Sequence, residues 1–559
     1  MDEDARLRHY SALGQSLRSQ HRSAEAIPYF EQALAIAPRD FDLNCALGNA
    51  LQEIGQLARA CDAYRSALRS DPHSAQAWYA LGCAELARKE YVPAWTCFRE
   101  ALNAEPGWLE AEHNLARALF ELGQTDEAAA HFRNCAARDD LANSALSRAI
   151  LALIIPGAPS ADNASVLEAR RWWAERDLPR PAQGGSISTV ARPGARPIRL
   201  GYISSFFHRP NWMKPVWGLI NQHDRSEFEI HLFSAASADK VVAGYRADSR
   251  DRYHDIRTAS NEDVRALMER SGIDLLVDLS SYSDMRRLPL FALKPAPVTV
   301  AWFNLYATSG LQCFDCLIGD QQVIPPEEEC FYVEAIRRVS GSYLTFEVSY
   351  AVPDVQEPPC LKERAITFGS LASQIKINDP VISAWATILR QSPTSSLVVK
   401  NSALGSADTR EFLYSLFTKH GIQRDRVRLE GPAEHFEFLK VYDEIDIALD
   451  TFPYNGGTTT TEAIWQGVPV VSFWGDRWVS RTSASILRAG GLGEFVRADL
   501  DGYISYASKL ANSPDTPEFL LNIRRGMRSR LMNSPVCDSR AFAREMEGIY
   551  KQLLGTKQA

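Results

Sequence analysis

A 34-residue period governs the first quarter of the chain. Gly14, Gly48 and Gly82 recur at that step, and Ala116 takes the next position. Ala26, Ala60, Ala94 and Ala128 keep the same interval, as do Phe30, Tyr64, Phe98 and Phe132. Pro38, Pro72 and Pro106 close the first three units. Small residues let two antiparallel helices approach closely, the aromatic fills the gap beside them, and a proline cannot continue the second helix. One such pair cannot bury its own apolar face, so neighbouring pairs must stack into a superhelix with a concave groove.

A 34-residue period with small, aromatic and proline positions in this order is the pattern of tetratricopeptide repeats. About four are expected within residues 1–140. The groove suits protein partners or extended peptides, and self-association into a homodimer is the other use open to it. Residues 141–197 read as capping helices and a linker. Leu151-Ala152-Leu153-Ile154-Ile155 and Trp172-Trp173 look helical, and Pro179 to Pro197, with Gly184-Gly185-Ser186, is loop-like in composition.

At 559 residues the chain is too long for one core, and two to four domains are expected. A composition of 45% hydrophobic and 23% charged residues is that of a folded, soluble protein. The net charge of −8 argues against a nucleic-acid partner, which normally requires a basic footprint. The start Met1-Asp2-Glu3-Asp4 lacks a signal-peptide pattern, and no apolar run is long enough to span a membrane. A cytoplasmic protein is therefore expected. The ten cysteines are scattered; Cys313 and Cys316 have metal-like spacing, but no second pair follows, and Cys316-Leu317-Ile318 reads as a buried strand.

After Pro197 short β-rich runs alternate with helical stretches: Ile198 to Ile203, Phe228 to Phe233, Ile273 to Leu279 and Val298 to Phe303. A Pro-rich break spans Tyr350 to Pro359. The alternation then resumes with Ile366 to Phe368, Leu397 to Val399, Arg426 to Leu429, Ile445 to Leu449 and Val468 to Phe473. This predicts two Rossmann-like α/β lobes, 198–355 and 360–559, each built on a parallel sheet. Ligands of such sheets bind at the carboxyl ends of the strands, and here also in the cleft between lobes.

The stretch from Asp450 to Ala463, Asp-Thr-Phe-Pro-Tyr-Asn-Gly-Gly-Thr-Thr-Thr-Thr-Glu-Ala, follows an apolar strand and opens a helix. Gly456 and Gly457 let backbone approach a ligand. Thr458, Thr459, Thr460 and the first free amides of the helix aim donors at one spot, where the helix dipole adds positive charge. This predicts a pyrophosphate site, with Glu462 one turn in to accept from ribose hydroxyls. An ordinary capped helix after a glycine turn would explain one threonine but not four in a row. Lys376 follows the strand Ile366 to Phe368 and is placed to neutralise a departing diphosphate. Lys400 ends the next strand in a comparable place. Either lysine could instead be a solvated side chain.

The chain resembles the protein O-glycosyltransferases of glycosyltransferase family 41, which include the O-linked N-acetylglucosamine transferases and the SPINDLY-type O-fucosyltransferases. The resemblance rests on the repeat array, Leu200-Gly201-Tyr202-Ile203-Ser204, Phe291 to Pro297, Thr308-Ser309-Gly310, Lys376, and Asp450 to Glu462. Gly467 to Val470 and Ser534 to Cys537 add weaker support. It implies a GT-B fold, a nucleotide-sugar donor (UDP-N-acetylglucosamine or GDP-fucose) in the cleft, inversion at the anomeric carbon, and no metal or other cofactor. It further implies that Lys376 contacts the diphosphate, Thr458 and Thr459 bind phosphate, Glu462 holds the ribose, and Thr308, Ser309 and Gly310 lie near the donor. Two features depart from the N-acetylglucosamine branch: Gly457 stands where that branch has a histidine, and the segment Ser205 to Lys214 is short around its one histidine, His208. His208 is carried as a candidate catalytic residue; His435 is offset by about three positions from a nucleotide-contacting histidine of the family. The Thr-rich block after Gly457 and Leu397 to Lys400 lean toward the fucosyltransferase branch. Two other readings are a repeat scaffold with a degenerate transferase domain and a transferase acting on a small molecule or glycan.

Overall fold

The computed structural model describes residues 2–138, 142–178, 196–235, 241 and 244–558. The run expected as a linker, with Gly184-Gly185-Ser186, lies outside the described residues. Two compact units are present: residues 1–147 with 402–416, and residues 148–401 with 417–559. Among the described residues no helix is long and apolar enough to cross a membrane.

The first unit is built from helix pairs α1 (Glu3–Ser19) and α2 (Ser23–Ile36), α3 (Phe41–Glu53) and α4 (Leu57–Ser70), α5 (Ala75–Ala87) and α6 (Tyr91–Ala104), and α7 (Leu109–Glu121) and α8 (Thr125–Ala136). The periodic residues do what their spacing predicts. A Cβ on Gly14, Gly48 or Gly82 would come within 2.7, 2.5 or 2.7 Å of the ring of Phe30, Tyr64 or Phe98. Ala26, Ala60, Ala94 and Ala128 are fully buried. Asp2, Asp40 and Ser74 cap α1, α3 and α5 by accepting the amides of Ala5, Leu43 and Ala77 at 2.7, 2.9 and 3.2 Å. Residues 402–416 also belong to this unit: Phe412 meets Trp95 edge-on at 6.3 Å, and Ser406 donates to Glu90.

The second unit contains two parallel sheets. The first has strands β1 (Ile198–Ser204), β2 (Phe228–Ser234), β3 (Arg252–Asp255), β4 (Leu275–Asp278), β5 (Val298–Ala301), β6 (Cys316–Asp320) and β7 (Ala335–Val339), in the order 3-2-1-4-5-6-7. The second has β8 (Thr367–Ser370), β9 (Ser396–Lys400), β10 (Val427–Glu430), β11 (Ile447–Leu449), β12 (Val470–Phe473) and β13 (Val496–Arg497), in the order 10-9-8-11-12-13. Central strands such as Leu275-Leu276-Val277 are buried on both faces, as parallel sheets require. The sequence reading did not single out the edge strands β3, β7 and β13, because Arg-Tyr-His-Asp, Ala-Ile-Arg-Arg-Val and Val-Arg carry no continuous apolar run. Cys316 opens β6, and burial pushes its thiol and that of Cys313 up to about 12.

The final helix, Ser539–Gln558, packs back on the first sheet. Its Glu547 accepts the Asp224 amide at 2.9 Å and lies 3.0 Å from His223 Nδ1. Strand order reverses between β1 and β4 in one sheet and between β8 and β11 in the other. Those reversals leave crevices at the strands' carboxyl ends, where ligands of such sheets bind. Because a methyl at position 48 overlaps the Tyr64 ring, Gly48→Ala should lower stability by about 1–3 kcal/mol. Gly526→Ala, where a Cβ meets nothing within 4 Å, should lower it by none. Urea unfolding followed by helical circular dichroism checks both.

Candidate active site

The two segments flanking the second reversal converge. After β8 a single turn, Gln374–Lys376, carries Lys376; after β11 the loop from Asp450 leads into the helix Thr458–Trp465. Buried Asp450 organises that loop. Its Oδ1 accepts the amides of Gly456 at 2.9 Å and Thr451 at 3.0 Å, and its Oδ2 accepts from Ser472 at 2.6 Å. Asn455 donates to the Thr451 carbonyl at 2.7 Å, and Asn378 donates to that of Phe452 at 2.8 Å.

Lys376 Nζ donates to the Asn455 carbonyl at 2.7 Å and lies 3.9 Å from the centre of the Tyr454 ring. Burial pushes its pKa down to about 8, against the opposing pull of Asp450. An ammonium whose contacts among the described residues are a carbonyl and a ring retains capacity for an anion.

The four threonines do not act alike. A Cβ on Gly456 would collide with the hydroxyls of Thr460 and Thr459, the latter at 2.7 Å, so only glycine fits beneath them. Thr460 Oγ1 is 2.8 Å from Ser483 Oγ, which donates to the Gly456 carbonyl at 3.0 Å. Thr461 donates to its own helix, at Thr458 O, at 2.8 Å. Thr458 Oγ1 reaches the Asn211 carbonyl, in the first turn of the helix Pro210–Gln222, at 3.4 Å. That helix directly follows β1 at the first reversal. Two helix N-termini, one from each lobe, thus meet at the cleft; the helix Thr458–Trp465 makes its first intrahelical bond at the Thr461 amide, whereas Pro210 has no N–H and the amides of Trp212 and Met213 already bond to the Arg209 carbonyl.

Glu462 lies at the centre of a second cluster. Lys214, from the helix Pro210–Gln222, forms an ion pair with its Oε1; His435 Nε2 is 3.3 Å and the Tyr350 hydroxyl 3.4 Å from the same oxygen. Lys214 Nζ also lies 3.0 Å from His435 Nε2 and 4.1 Å from the centre of the Tyr350 ring. Burial raises the Glu462 pKa, but His435 and Lys214 outweigh it and hold the carboxyl below its ordinary value. Burial also lowers the Lys214 pKa.

The remaining candidates are placed elsewhere. The side chains of Thr308 and Ser309 turn into the first lobe: Thr308 donates to buried Glu334 at 2.7 Å, the Ser309 hydroxyl bonds the same carboxyl, and its amide does so at 2.6 Å. Gly310, with φ +71°, admits the backbone and Cβ of Arg170, whose guanidinium donates to the carbonyls of Thr308 and Leu305. This trio braces the lobe because Glu334 needs its donors. The same loop approaches the second lobe through Tyr306, whose ring lies 5.1 Å from that of Tyr454. Lys400 is paired with Glu430 at 3.0 Å. His208 is exposed in the turn before the helix Pro210–Gln222, outside the Glu462 cluster, where His435 stands instead. Sequence reasoning did not single out Lys214. Its signal was a lone cation in the otherwise apolar run Trp212-Met213-Lys214-Pro215-Val216-Trp217. Among the described residues no group of three or more His, Cys, Asp and Glu side chains is placed to hold a metal.

The family model for glycosyl transferase family 41 matches residues 188–355 and 350–546, and tetratricopeptide-repeat models match 6–37, 45–107 and 108–138. Among curated proteins, the chain is 30% identical over 394 residues to a probable UDP-N-acetylglucosamine–peptide N-acetylglucosaminyltransferase SPINDLY of Arabidopsis thaliana, covering 69% of this chain and 43% of that protein. It is 29% identical over 391 residues to the tomato (Solanum lycopersicum) SPINDLY, covering 69% and 42%. The chain thus spans less than half the length of these curated relatives. A solved structure of a Thermobaculum terrenum O-GlcNAc transferase mutant superposes with a TM-score of 0.76 at 27% identity, covering 92% of this chain and 98% of that one. Repeats followed by two parallel-sheet lobes are the architecture they share, and on the extent of the family match the chain belongs to glycosyl transferase family 41.

Proposed function

We propose that this protein is a protein O-glycosyltransferase. It moves a sugar from a nucleotide-sugar donor to serine or threonine hydroxyls of protein acceptors held by the repeats, with inversion and without a metal. N-acetylglucosamine from UDP-N-acetylglucosamine is the first choice, since that sugar appears in the names of the relatives. Fucose from GDP-fucose is the second, favoured by Gly457 and the threonine block that follows it. The observation that carries the proposal is the convergence of Lys376, Gly456 and the amino end of the helix Thr458–Trp465.

The geometry supports a simple division of labour. The donor diphosphate lies against the free amides of the helix, where Gly456 permits close approach. The acceptor oxygen attacks the anomeric carbon from the face opposite the diphosphate, the bond to the leaving phosphate oxygen breaks, and the hydroxyl proton is lost. Negative charge grows on the diphosphate, and the Lys376 ammonium meets it in a partly desolvated setting. Alignment of the two substrates supplies the rest. No residue is assigned as general base.

Lys376→Ala should lower turnover by about 100- to 1000-fold while leaving the thermal midpoint nearly unchanged. Near-normal turnover would remove Lys376 from the mechanism. Only the ammonium form stabilises the leaving group, and that form is lost as pH rises through about 8. In the wild type, log kcat/KM should therefore fall across that pH, and the Ala variant should lack this limb. Gly456→Ala should weaken pyrophosphate binding by more than about tenfold in calorimetry, by forcing the Thr459 and Thr460 hydroxyls off the loop. The activity itself is tested by incubating the chain with each donor and candidate acceptor proteins. Mass spectrometry should find an added N-acetylhexosamine or deoxyhexose on Ser or Thr; donor binding without transfer would favour the scaffold reading.

A further inference from the structure

The ion pair between Lys214 and Glu462 joins the two lobes from opposite sides of the cleft. Both side chains are buried, each at 5% exposure. Burying such a pair strips both ions of water, and well-packed apolar residues often do the same structural work at less cost. The helix that carries Lys214 is otherwise buried through apolar residues: Met213, Val216, Trp217, Leu219 and Ile220. A cation in that setting calls for an explanation other than packing.

The contacts of Glu462 suggest one. Lys214 and Tyr350 donate to Oε1, and His435 Nε2 lies 3.3 Å from the same oxygen. None of these three contacts uses Oε2. Beside the cluster lies a cavity of about 330 Å³ walled by Pro210, Lys214, Trp217, Tyr350 and His435, with aromatic faces on several sides. The carboxylate is thus fixed and charge-balanced through one oxygen, one helical turn from the amides proposed to hold the diphosphate.

We propose that Lys214 is a positioning residue for the donor nucleoside: it clamps Glu462 through Oε1 so that Oε2 meets the ribose diol. This rests on the reading of Glu462 as the ribose acceptor. Lys214 acts through Glu462 and across the lobe boundary, so nucleoside binding and the juxtaposition of the lobes become one event. Without Lys214 the carboxylate either takes up a proton or turns toward His435, and the diol loses a charge-assisted partner.

The test is calorimetric titration of the full chain, and of Lys214→Met and Lys214→Arg, with three probes. These are the nucleoside diphosphate that the wild type binds (UDP or GDP), its 2′,3′-dideoxy analogue, and inorganic pyrophosphate. Wild type should prefer the ribonucleotide over the dideoxy form by about tenfold or more. Lys214→Met should abolish that preference, bind the dideoxy form and pyrophosphate as the wild type does, and be partly rescued by Arg. A Met variant that keeps the full preference overturns the proposal. A uniform loss for all three probes also overturns it, because that is what a purely structural bridge would give. If the wild type itself shows no preference for the diol, the reading of Glu462 fails first and takes this inference with it. Should Lys214→Met not fold, Lys214→Gln keeps a donor without the charge and is read by the same ratio.

Discussion

The carboxylate of Asp450 is the constraint on which the candidate site depends. It is buried at the end of β11, and burial raises its pKa, so it holds its place only through the donors around it. Two of those donors are backbone amides of its own loop, at Thr451 and Gly456, and the third is Ser472 in β12. An aspartate tied to the neighbouring strand turns a loop into a rigid bracket. The bracket sets the direction of the helix Thr458–Trp465 and the position of the Asn455 carbonyl, and that carbonyl in turn holds Lys376. Loop, helix end and lysine are therefore a single mechanical unit, although they come from segments far apart in sequence.

Charge in the cleft follows the same logic. Lys376 and Lys214 are offset by Asp450 and Glu462, so the formal charges of the cluster cancel. The amino ends of the helices Pro210–Gln222 and Thr458–Trp465 are not cancelled, and each presents a partial positive charge to the cleft. A diphosphate supplies the negative charge that this arrangement lacks. A neutral ligand would gain nothing from it, which separates the proposed nucleotide-sugar site from an apolar pocket of similar size.

Much of this was legible in the sequence, and the parts that were not share a cause. The repeat array could be read because one physical rule, a glycine under an aromatic ring, is written three times at a fixed interval: Gly14 with Phe30, Gly48 with Tyr64, Gly82 with Phe98. Central strands were legible because burial on both faces demands an unbroken apolar run. The polar edge strands β3, β7 and β13 were not, since one side of each lacks a neighbouring strand. At the site, Lys376 and the Gly456 loop announce themselves by position after a strand. Lys214 does not, because its meaning comes from Glu462, 248 residues away. The bonds of the Thr308 and Ser309 hydroxyls to Glu334 were hidden for the same reason, since that partner lies 25 or 26 residues away.

The threonine block shows why motif and role must be separated. Four consecutive hydroxyls suggest four ligand donors, but a helix turns by 100° per residue and cannot aim four neighbours at one point. Thr461 satisfies its own helix, Thr460 locks the loop through Ser483, and Thr458 reaches toward the other lobe. What the block provides for an anion is mainly backbone: amides freed at a helix start and brought close by Gly456. The hydroxyls fix the shape in which those amides are offered. Under the proposed function, a site built in this way would recognise the diphosphate, which nucleotide sugars have in common. The choice of nucleoside and sugar must then come from groups farther along the cleft, of which Glu462, His435, Tyr350 and Lys214 are the nearest set.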